Sequence, residues 1–403
     1  MEPSDLHLTL VLTHITVTVN TTRGCHISGC GHPKMLDSKV YAKRMKRVIG
    51  FLEENGADLG IITPSPAFLY LTGIHRGLTE RLLALLITPD NDPQIVAPAF
   101  EVSTLADHTW IKDFLPWAED DDPYALVASA IDQKKGGQSI ALEETLPLGI
   151  YWALERAVDG IKNQASLTPL INEMRLFKTE DELSLMRKAG RIINAAVSKA
   201  FSEARAGLTE LEVQQIVRSE VVKQGAVPTF SAIQFGENSA LPHSSAGARD
   251  LKNGDIVLMD CGCAVDGYQT DMTRVGIVGD PTDEHAHVHS IVLKAQQEAI
   301  ERISNGIVCG AADGIARRII EEAGFGEYFT HRLGHGIGLE VHEPPYLVRG
   351  NSTELKSGMT HSVEPGIYLE GKFGIRIEDL ICVRDGEPEV LTYMSRDLFI
   401  IDG

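Results

Sequence analysis

The chain has 403 residues, 43% hydrophobic and 23% charged; this is an ordinary globular composition, long enough that two domains are the default expectation. With 37 Lys and Arg against 56 Asp and Glu, the formal charge is −19, a balance that repels phosphate backbones and anionic lipid and so argues against nucleic-acid and membrane partners. The six cysteines (Cys25, Cys30, Cys261, Cys263, Cys309, Cys382) lack the density of a disulfide scaffold, and the apolar stretch Leu6–Val19 is broken by Thr and His and comes after acidic residues, so neither a secretory leader nor a membrane span is read and the expected compartment is the cytoplasm.

Residues 1–35 look foreign to the rest of the chain: Thr, His, Cys and Gly crowd together, and helical periodicity starts only after Met35. Cys25, His26, Cys30 and His32 offer possible zinc ligands, but their spacing matches no established pattern. We read this stretch as an extension, disordered or non-native. From Tyr41 to Asn55 apolar residues recur at helical spacing and Gly56 supplies a stop. Short β-type runs, Leu59–Ile62 and Leu82–Ile87, then alternate with helical patterns, which predicts an α/β domain over residues 36–170. Long amphipathic helices are expected over Thr179–Ala204 and Leu208–Gln224, strands from Ser231 to Val278, helices over His285–Ala323 and strands beyond. Residues 171–403 therefore read as an α+β domain.

The most informative segment is Asp255–Gly279. Asp266-Gly267 between β-type runs is a strong hairpin signal, because a type I′ turn needs positive φ at both central residues. With that turn, Val265 pairs with Tyr268, Asp260 falls opposite Thr273, and Asp271 lies on the same face as Asp260, a diagonal neighbour about 7–8 Å away. Gly262, opposite Asp271, leaves room there. Facing carboxylates in an apolar sheet lose hydration and repel each other, so they need a cation or a shared proton, unless the face is solvated.

Further on stands His331-Arg-Leu-Gly-His335-Gly-Ile-Gly-Leu-Glu-Val-His342. Imidazole is a common metal ligand, and glycine lets backbone approach a bound group closely; the Gly spacing is wrong for a phosphate loop, and no HExxH is present. Glu364 and Glu378 are placed symmetrically about Gly371 in Glu370-Gly371-Lys372, so a three-residue loop there sets them directly opposite, with Arg376 on the face of Glu378. Each feature has its own bland explanation. Four carboxylates and a histidine on convergent strands do not.

In order and spacing, Asp260, Asp271, His335, Glu364 and Glu378 resemble the five-ligand signature of the pita-bread metallopeptidases. Met259-Asp-Cys-Gly, Thr270-Asp-Met-Thr-Arg, Leu333-Gly-His-Gly-Ile-Gly, Val363-Glu-Pro-Gly and Arg376-Ile-Glu-Asp are similar to the Xaa-Pro branch, aminopeptidase P and prolidase. The likeness is strong from Asn172 onward and weaker through Tyr41–Leu170, where Tyr70-Leu-Thr-Gly looks like the creatinase/prolidase N-terminal domain; it does not cover residues 1–35. It implies two divalent ions per subunit, manganese first, with cobalt, iron or zinc as alternatives. Asp271 and Glu378 would bridge them, with Asp260 on one ion and His335 and Glu364 on the other. It further implies a water activated to hydroxide, Glu364 as proton carrier, His243 and His342 as catalytic histidines, His331 and Arg376 as substrate-binding residues, and a homodimer. Departures are Ser244-Ser-Ala-Gly after His243, Cys261 and Cys263 in place of commoner small residues, and Ala67 where Asn is frequent.

The expected activity is hydrolysis of the bond preceding proline in a small peptide, with Xaa-Pro dipeptides preferred. Aminopeptidase P action on longer peptides and metal-dependent hydrolysis of another small amide are the alternatives. Metal-free creatinase-like chemistry and a non-catalytic binding module both go with lost ligands, and none is lost here. Because residues 1–35 contribute nothing to the five-ligand set, a chain beginning at Met35 is expected to keep its melting temperature and turnover. A large loss of either in thermal melts and assays would show that the extension packs onto the catalytic fold or binds zinc.

Overall fold

The computed structural model describes residues 36–130, 138–158, 161–242 and 244–402; the Cys25, His26, Cys30, His32 cluster and His243 lie outside them. The first helix, Ser38–Asn55, starts where Asp37 accepts a hydrogen bond from the Lys39 amide and ends at Gly56 in the left-handed region, φ 59°. Its buried residues Tyr41, Met45, Val48 and Leu52 keep the helical period read from the sequence. Among the described residues a mixed six-stranded sheet comes next, ordered Asp113–Trp117, Gln94–Pro98, Ala84–Ile87, Leu59–Ile62, Gln138–Leu142, Ile161–Ser166. Ile62, Leu85, Ile87 and Ile95 pack into one cluster, while Leu59, Ile61, Leu86 and Val96 pack into another. The sheet is thus covered on both faces, which explains why its inner strands Leu59–Ile62 and Ala84–Ile87 read as unbroken apolar runs.

Two helices open the second half, and each begins with a reciprocal capping box: Thr179 with Glu182 for Glu180–Glu203, and Thr209 with Glu212 for Glu210–Lys223. They lie on a sheet whose path is Phe399–Ile401, Met272–Val278, Ile256–Val265, Val227–Phe235, with Tyr268–Gln269 also paired to Ile256–Val265. Strand alternation decides what faces where. Val257, Met259, Cys261 and Cys263 pack with the residues of the two helices, whereas Ile256 and Leu258 join the opposite core. Asp260, in step with Ile256 and Leu258, therefore points away from the helices.

That opposite core is completed by the helices Asp283–Arg302 and Cys309–Glu322 and by a second sheet, ordered Glu343–Leu347, Gly334–Gly336, Thr360–Val363, Asp379–Cys382, Glu389–Val390, together with the hairpin Gly366–Leu369/Phe373–Arg376. The α/β then α+β organisation agrees with the expectation from the sequence. Among the described residues no helix is long and apolar enough to cross a membrane.

Gly334 shows how tightly the central strand of the second sheet is held: a Cβ there would lie 2.0 Å from the Ser362 carbonyl oxygen. Gly314, inside Cys309–Glu322, has nothing within 4 Å of the same position. Gly334→Ala is therefore expected to destabilise by at least the overpacking cost of about 1–3 kcal/mol. Gly314→Ala should gain about 0.5–1 kcal/mol from helix propensity. Urea denaturation of both variants checks the contrast, and equal midpoints would refute it.

Candidate metal centre

The turn Asp266-Gly267 has positive φ at both residues, 49° and 87°. Val265 pairs with Tyr268, and the same register continues to Asp260 opposite Thr273 and Ile256 opposite Ile277. The two aspartates are brought to one face as the sequence predicted. The room left by Gly262 is a different matter. A Cβ there would meet Phe230 Cε1 at 2.2 Å and the Thr270 carbonyl oxygen at 2.5 Å, so the missing side chain admits the Phe230 ring and a close strand, not the carboxylates.

The glutamates come from one long hairpin. Leu369 pairs with Phe373 and Gly366 with Arg376; beyond the glutamates, Val363 pairs with Asp379 and Thr360 with Cys382. The register is unchanged across the gap, so Glu364 stands opposite Glu378, and Gly371 in the loop has φ 76°. At the glutamates the ladder bonds outward. The Glu364 amide donates to the Leu333 carbonyl at 2.9 Å, and the Glu378 amide donates to the Thr273 carbonyl at 3.2 Å.

His335 sits on the short strand Gly334–Gly336 with its amide on Ser362 Oγ at 3.0 Å. Its Nδ1 meets the Gly336 carbonyl at 3.1 Å, which keeps a proton on Nδ1 and turns Nε2 toward the acidic side chains. That Nε2 lies 3.2 Å from Glu364 Oε1 and 3.8 Å from Asp271 Oδ2. The glycines beside it serve the packing of strands: a Cβ at Gly336 would be 2.2 Å from the Pro344 carbonyl oxygen. This corrects the expectation that they open the backbone to a bound group.

Arg376 is buried, and every nitrogen of its guanidinium has a protein acceptor: Nη2 on Asp260 Oδ2 at 2.6 Å, Nη1 on the Tyr368 hydroxyl at 2.8 Å, Nε on Thr273 Oγ1 at 3.0 Å. Thr273 donates in turn to Glu378 Oε2 at 2.7 Å. His331 completes the chain. Its Nδ1 donates to the Arg332 carbonyl at 2.8 Å, so its Nε2 accepts from the Tyr368 hydroxyl, also at 2.8 Å. His342 is exposed, edge-on to His335 with ring centroids 4.1 Å apart. Its neighbour Glu343 is committed elsewhere, paired with Lys178 at 2.8 Å and with Arg175.

Asp260, Asp271, His331, His335, His342, Glu364, Arg376 and Glu378 all line one cavity of about 590 Å³, a volume suited to a small ligand. Of the candidate residues named from the sequence, His243 and the Cys25, His26, Cys30, His32 cluster lie outside the described residues. The electrostatics follow from crowding acidic groups in a buried space. Burial, then the charges of Glu378, Asp260 and Glu364, push the Asp271 carboxyl well above its ordinary range. Burial, then Glu364 and Asp260, do the same to Glu378. Burial also works to raise Glu364, but the His335 hydrogen bond and the positive charge nearby, that of Arg376 included, bring it down to about 2. Desolvation of the part of the His342 ring packed against His335, with the charges beside it, lowers that imidazole below its ordinary value.

Whether the donors fit divalent metal is answered by their own hydrogen bonding. Asp260 Oδ1, Asp271 Oδ1 and Glu378 Oε1 are buried without a hydrogen-bond partner, and ligand atoms of Asp271, His335 and Glu378 lie within 4.8 Å of one another. Buried carboxylate oxygens left unpaired are strongly unfavourable, and a cation among them removes the penalty. Oxygen-rich donors with one imidazole suit hard divalent ions. The residues fit.

Sequence reasoning missed the residues that hold the ligands in place. Tyr368 was findable, since its partner Gly374 is two places from Arg376, which makes Tyr368 a diagonal neighbour of that arginine. Thr273 was seen only as a register mark. Arg274, fully buried, donates to the carbonyls of Thr273 and Glu378 and to Asp379 Oδ1. Asp379 also takes Gln296, Thr392 and Arg396. No local pattern marks that hub.

Residues 184–385 match metallopeptidase family M24, and residues 44–177 match the creatinase/prolidase N-terminal domain. The chain is 34% identical to an Xaa-Pro dipeptidase of Lactobacillus delbrueckii subsp. lactis over 89% of its own length and 98% of that protein. Among solved structures it is similar to a prolidase from Thermococcus sibiricus, with TM-score 0.85, 32% identity, and 91% and 100% of the two chains covered. A dipeptidase PepE from Mycobacterium ulcerans is comparable, with TM-score 0.82, 32% identity, and 92% and 100% covered.

Thr273→Val keeps the shape but removes both the donor to Glu378 and the acceptor of Arg376 Nε. Titration of Mn²⁺ against a competing chelator is expected to show affinity lower by roughly 10–100-fold, with circular dichroism unchanged. Unchanged affinity would mean that the backbone alone orients Glu378.

Proposed function

Since this chain belongs to metallopeptidase family M24, we propose that it hydrolyses the peptide bond preceding proline, with Xaa-Pro dipeptides preferred. The observation that carries the reading is the set of buried Asp271, His335 and Glu378 with half-buried Asp260 and Glu364 on one cavity, three of the carboxylate oxygens buried and unpartnered. Those five residues would hold two divalent ions. When bound, the ions supply Lewis acidity, lowering the pKa of water and polarising the carbonyl before proline. Manganese is the first choice for so oxygen-rich a donor set, with cobalt, iron and zinc next.

The remaining work falls to the protein. Glu364, brought to about 2, is ionised at neutral pH; we assign it to take up a proton from water and return it to the proline nitrogen, which must leave protonated. His342 offers an N–H donor at the cavity wall for the oxyanion that develops on the scissile carbonyl. The His243 assignment rests on the family motif alone. His331 keeps Tyr368 oriented toward Arg376, and Arg376 keeps Asp260 aimed into the cavity. Phe230, Pro242 and Val341 give the cavity an apolar wall against which a pyrrolidine ring fits.

We divide the chain into an N-terminal domain over residues 36–170 and a catalytic domain over 171–403, apart from the extension 1–35. Cys261, Cys263, Cys309 and Cys382 are free and buried, which accords with a reducing, cytoplasmic setting; a homodimer is the assembly that the family resemblance implies.

Asp260→Ala and Glu378→Ala each remove a ligand and leave neighbouring carboxylates facing one another. Metal content by elemental analysis and Leu-Pro hydrolysis are expected to fall together, and chelator treatment should abolish wild-type activity until Mn²⁺ is restored. Full activity in the chelator-treated variants would refute the two-metal reading. Faster wild-type cleavage of an Xaa-Pro-Xaa tripeptide than of the dipeptide would move the chain to aminopeptidase P.

A further inference from the structure

An enzyme for dipeptides meets a free carboxylate directly beside the scissile bond, in a cavity already crowded with acidic side chains. Some cation must hold it. Among the described residues lining the cavity, the guanidinium groups are those of Arg376 and Arg332. Arg376 is buried, and each of its nitrogens is occupied by Asp260, Tyr368 or Thr273; turning it toward substrate would release Asp260. We infer that Arg332, not Arg376, receives the C-terminal carboxylate of the substrate. This rests on the Xaa-Pro dipeptide reading and names the residue that selects for it.

Arg332 is half-buried, and its guanidinium carbon lies 4.5 Å from the centroid of the Tyr346 ring. Stacking uses the face of the guanidinium and leaves its in-plane N–H edges free, which is the geometry a carboxylate takes with two parallel hydrogen bonds. No carboxylate or carbonyl among the described residues holds those edges. Tyr346 stands directly opposite His335 in the ladder, so its ring is on the face of that ligand and carries the cation to the metal side of the strand. The backbone of Arg332 is fixed as well, since its carbonyl holds His331. The cation therefore lines the same cavity as the five ligands, with its hydrogen-bonding edges open to a carboxylate.

The test uses the full chain with Mn²⁺ and compares Leu-Pro with leucyl-prolinamide, which lacks the carboxylate. Arg332→Gln is expected to raise KM for Leu-Pro by roughly 10–100-fold, the loss of a charged hydrogen-bonded pair. Its kcat, its metal content and its action on the amide should stay within about twofold. Arg332→Lys, which keeps the charge and loses the fork, should fall between. Calorimetry of L-proline against L-prolinamide gives a readout without turnover: the wild type should prefer proline, and Arg332→Gln should lose that preference. Equal losses on acid and amide, or a preference for proline that survives Arg332→Gln, would overturn the inference. A wild type that cleaves neither substrate would overturn the proposed function, while the calorimetric preference would still decide the role of Arg332.

Discussion

At Glu364 and Glu378 the long hairpin stops bonding to itself, and its two amides turn outward to Leu333 and Thr273. Those acceptors lie two residues on either side of other ligands: Leu333 precedes His335, and Thr273 comes after Asp271. The break therefore docks the hairpin to the histidine strand on one side and to the aspartate hairpin on the other. Three segments distant in sequence are set in place by backbone hydrogen bonds whose directions a side-chain substitution does not change. Ser362 repeats the linkage with a side chain, accepting from the His335 amide and donating to Glu364 Oε1 at 3.0 Å. The ligand geometry is a consequence of this docking.

Convergence creates an electrostatic problem that the fold answers only in part. Arg376 neutralises Asp260 from within the protein, and His335 and Arg376 keep Glu364 ionised. Asp271 and Glu378 are left with raised carboxyls and orphan oxygens. Arg274 does not relieve them, because its charge is spent on Asp379 and its donors on the carbonyls behind the site. A buried pair of this kind is weak evidence for stability, since desolvation offsets its attraction. What it does is fix the strand carrying Glu378 against the strand carrying Asp271. The unpaired charge is thus confined to the spot where a cation is required.

The sequence made the ligands legible because they sit in hairpins whose turns are written in local chemistry. Asp266-Gly267 and Gly371 set two registers, and two registers place four carboxylates. The reading of Gly262 and of the glycines around His335 went astray for a common reason: glycine reports close approach without saying what approaches. Here Phe230, Ser362 and Pro344 do. Arg376 was legible as a cation facing Glu378, yet its first partner is Asp260, more than a hundred residues earlier. The Arg274–Asp379 hub was invisible for the same reason: its members come from segments whose proximity no turn or period encodes.

Every described residue lining the cavity comes from Phe230 or later, so the N-terminal domain supplies no chemistry there. It acts through position. Arg44, from the first helix, pairs with Glu182 at 2.9 Å, and Glu182 accepts from the Tyr268 hydroxyl at 2.7 Å, holding the far side of the turn that sets Asp260 against Asp271. Leu69 reaches the same turn, where a Cβ on Gly267 would meet its Cδ2 at 2.5 Å. Arg175 and Lys178, where the two domains join, grip Glu343 beside His342. Both clamps are buried ion pairs, costly to break one-sidedly because a lone charge is left in the interior. Through Arg44 and Leu69 the first domain resists sliding of the aspartate hairpin relative to the long catalytic helix. A shift of about one residue in a strand exchanges its faces, so a domain with no ligand of its own still decides whether the ligands face one another.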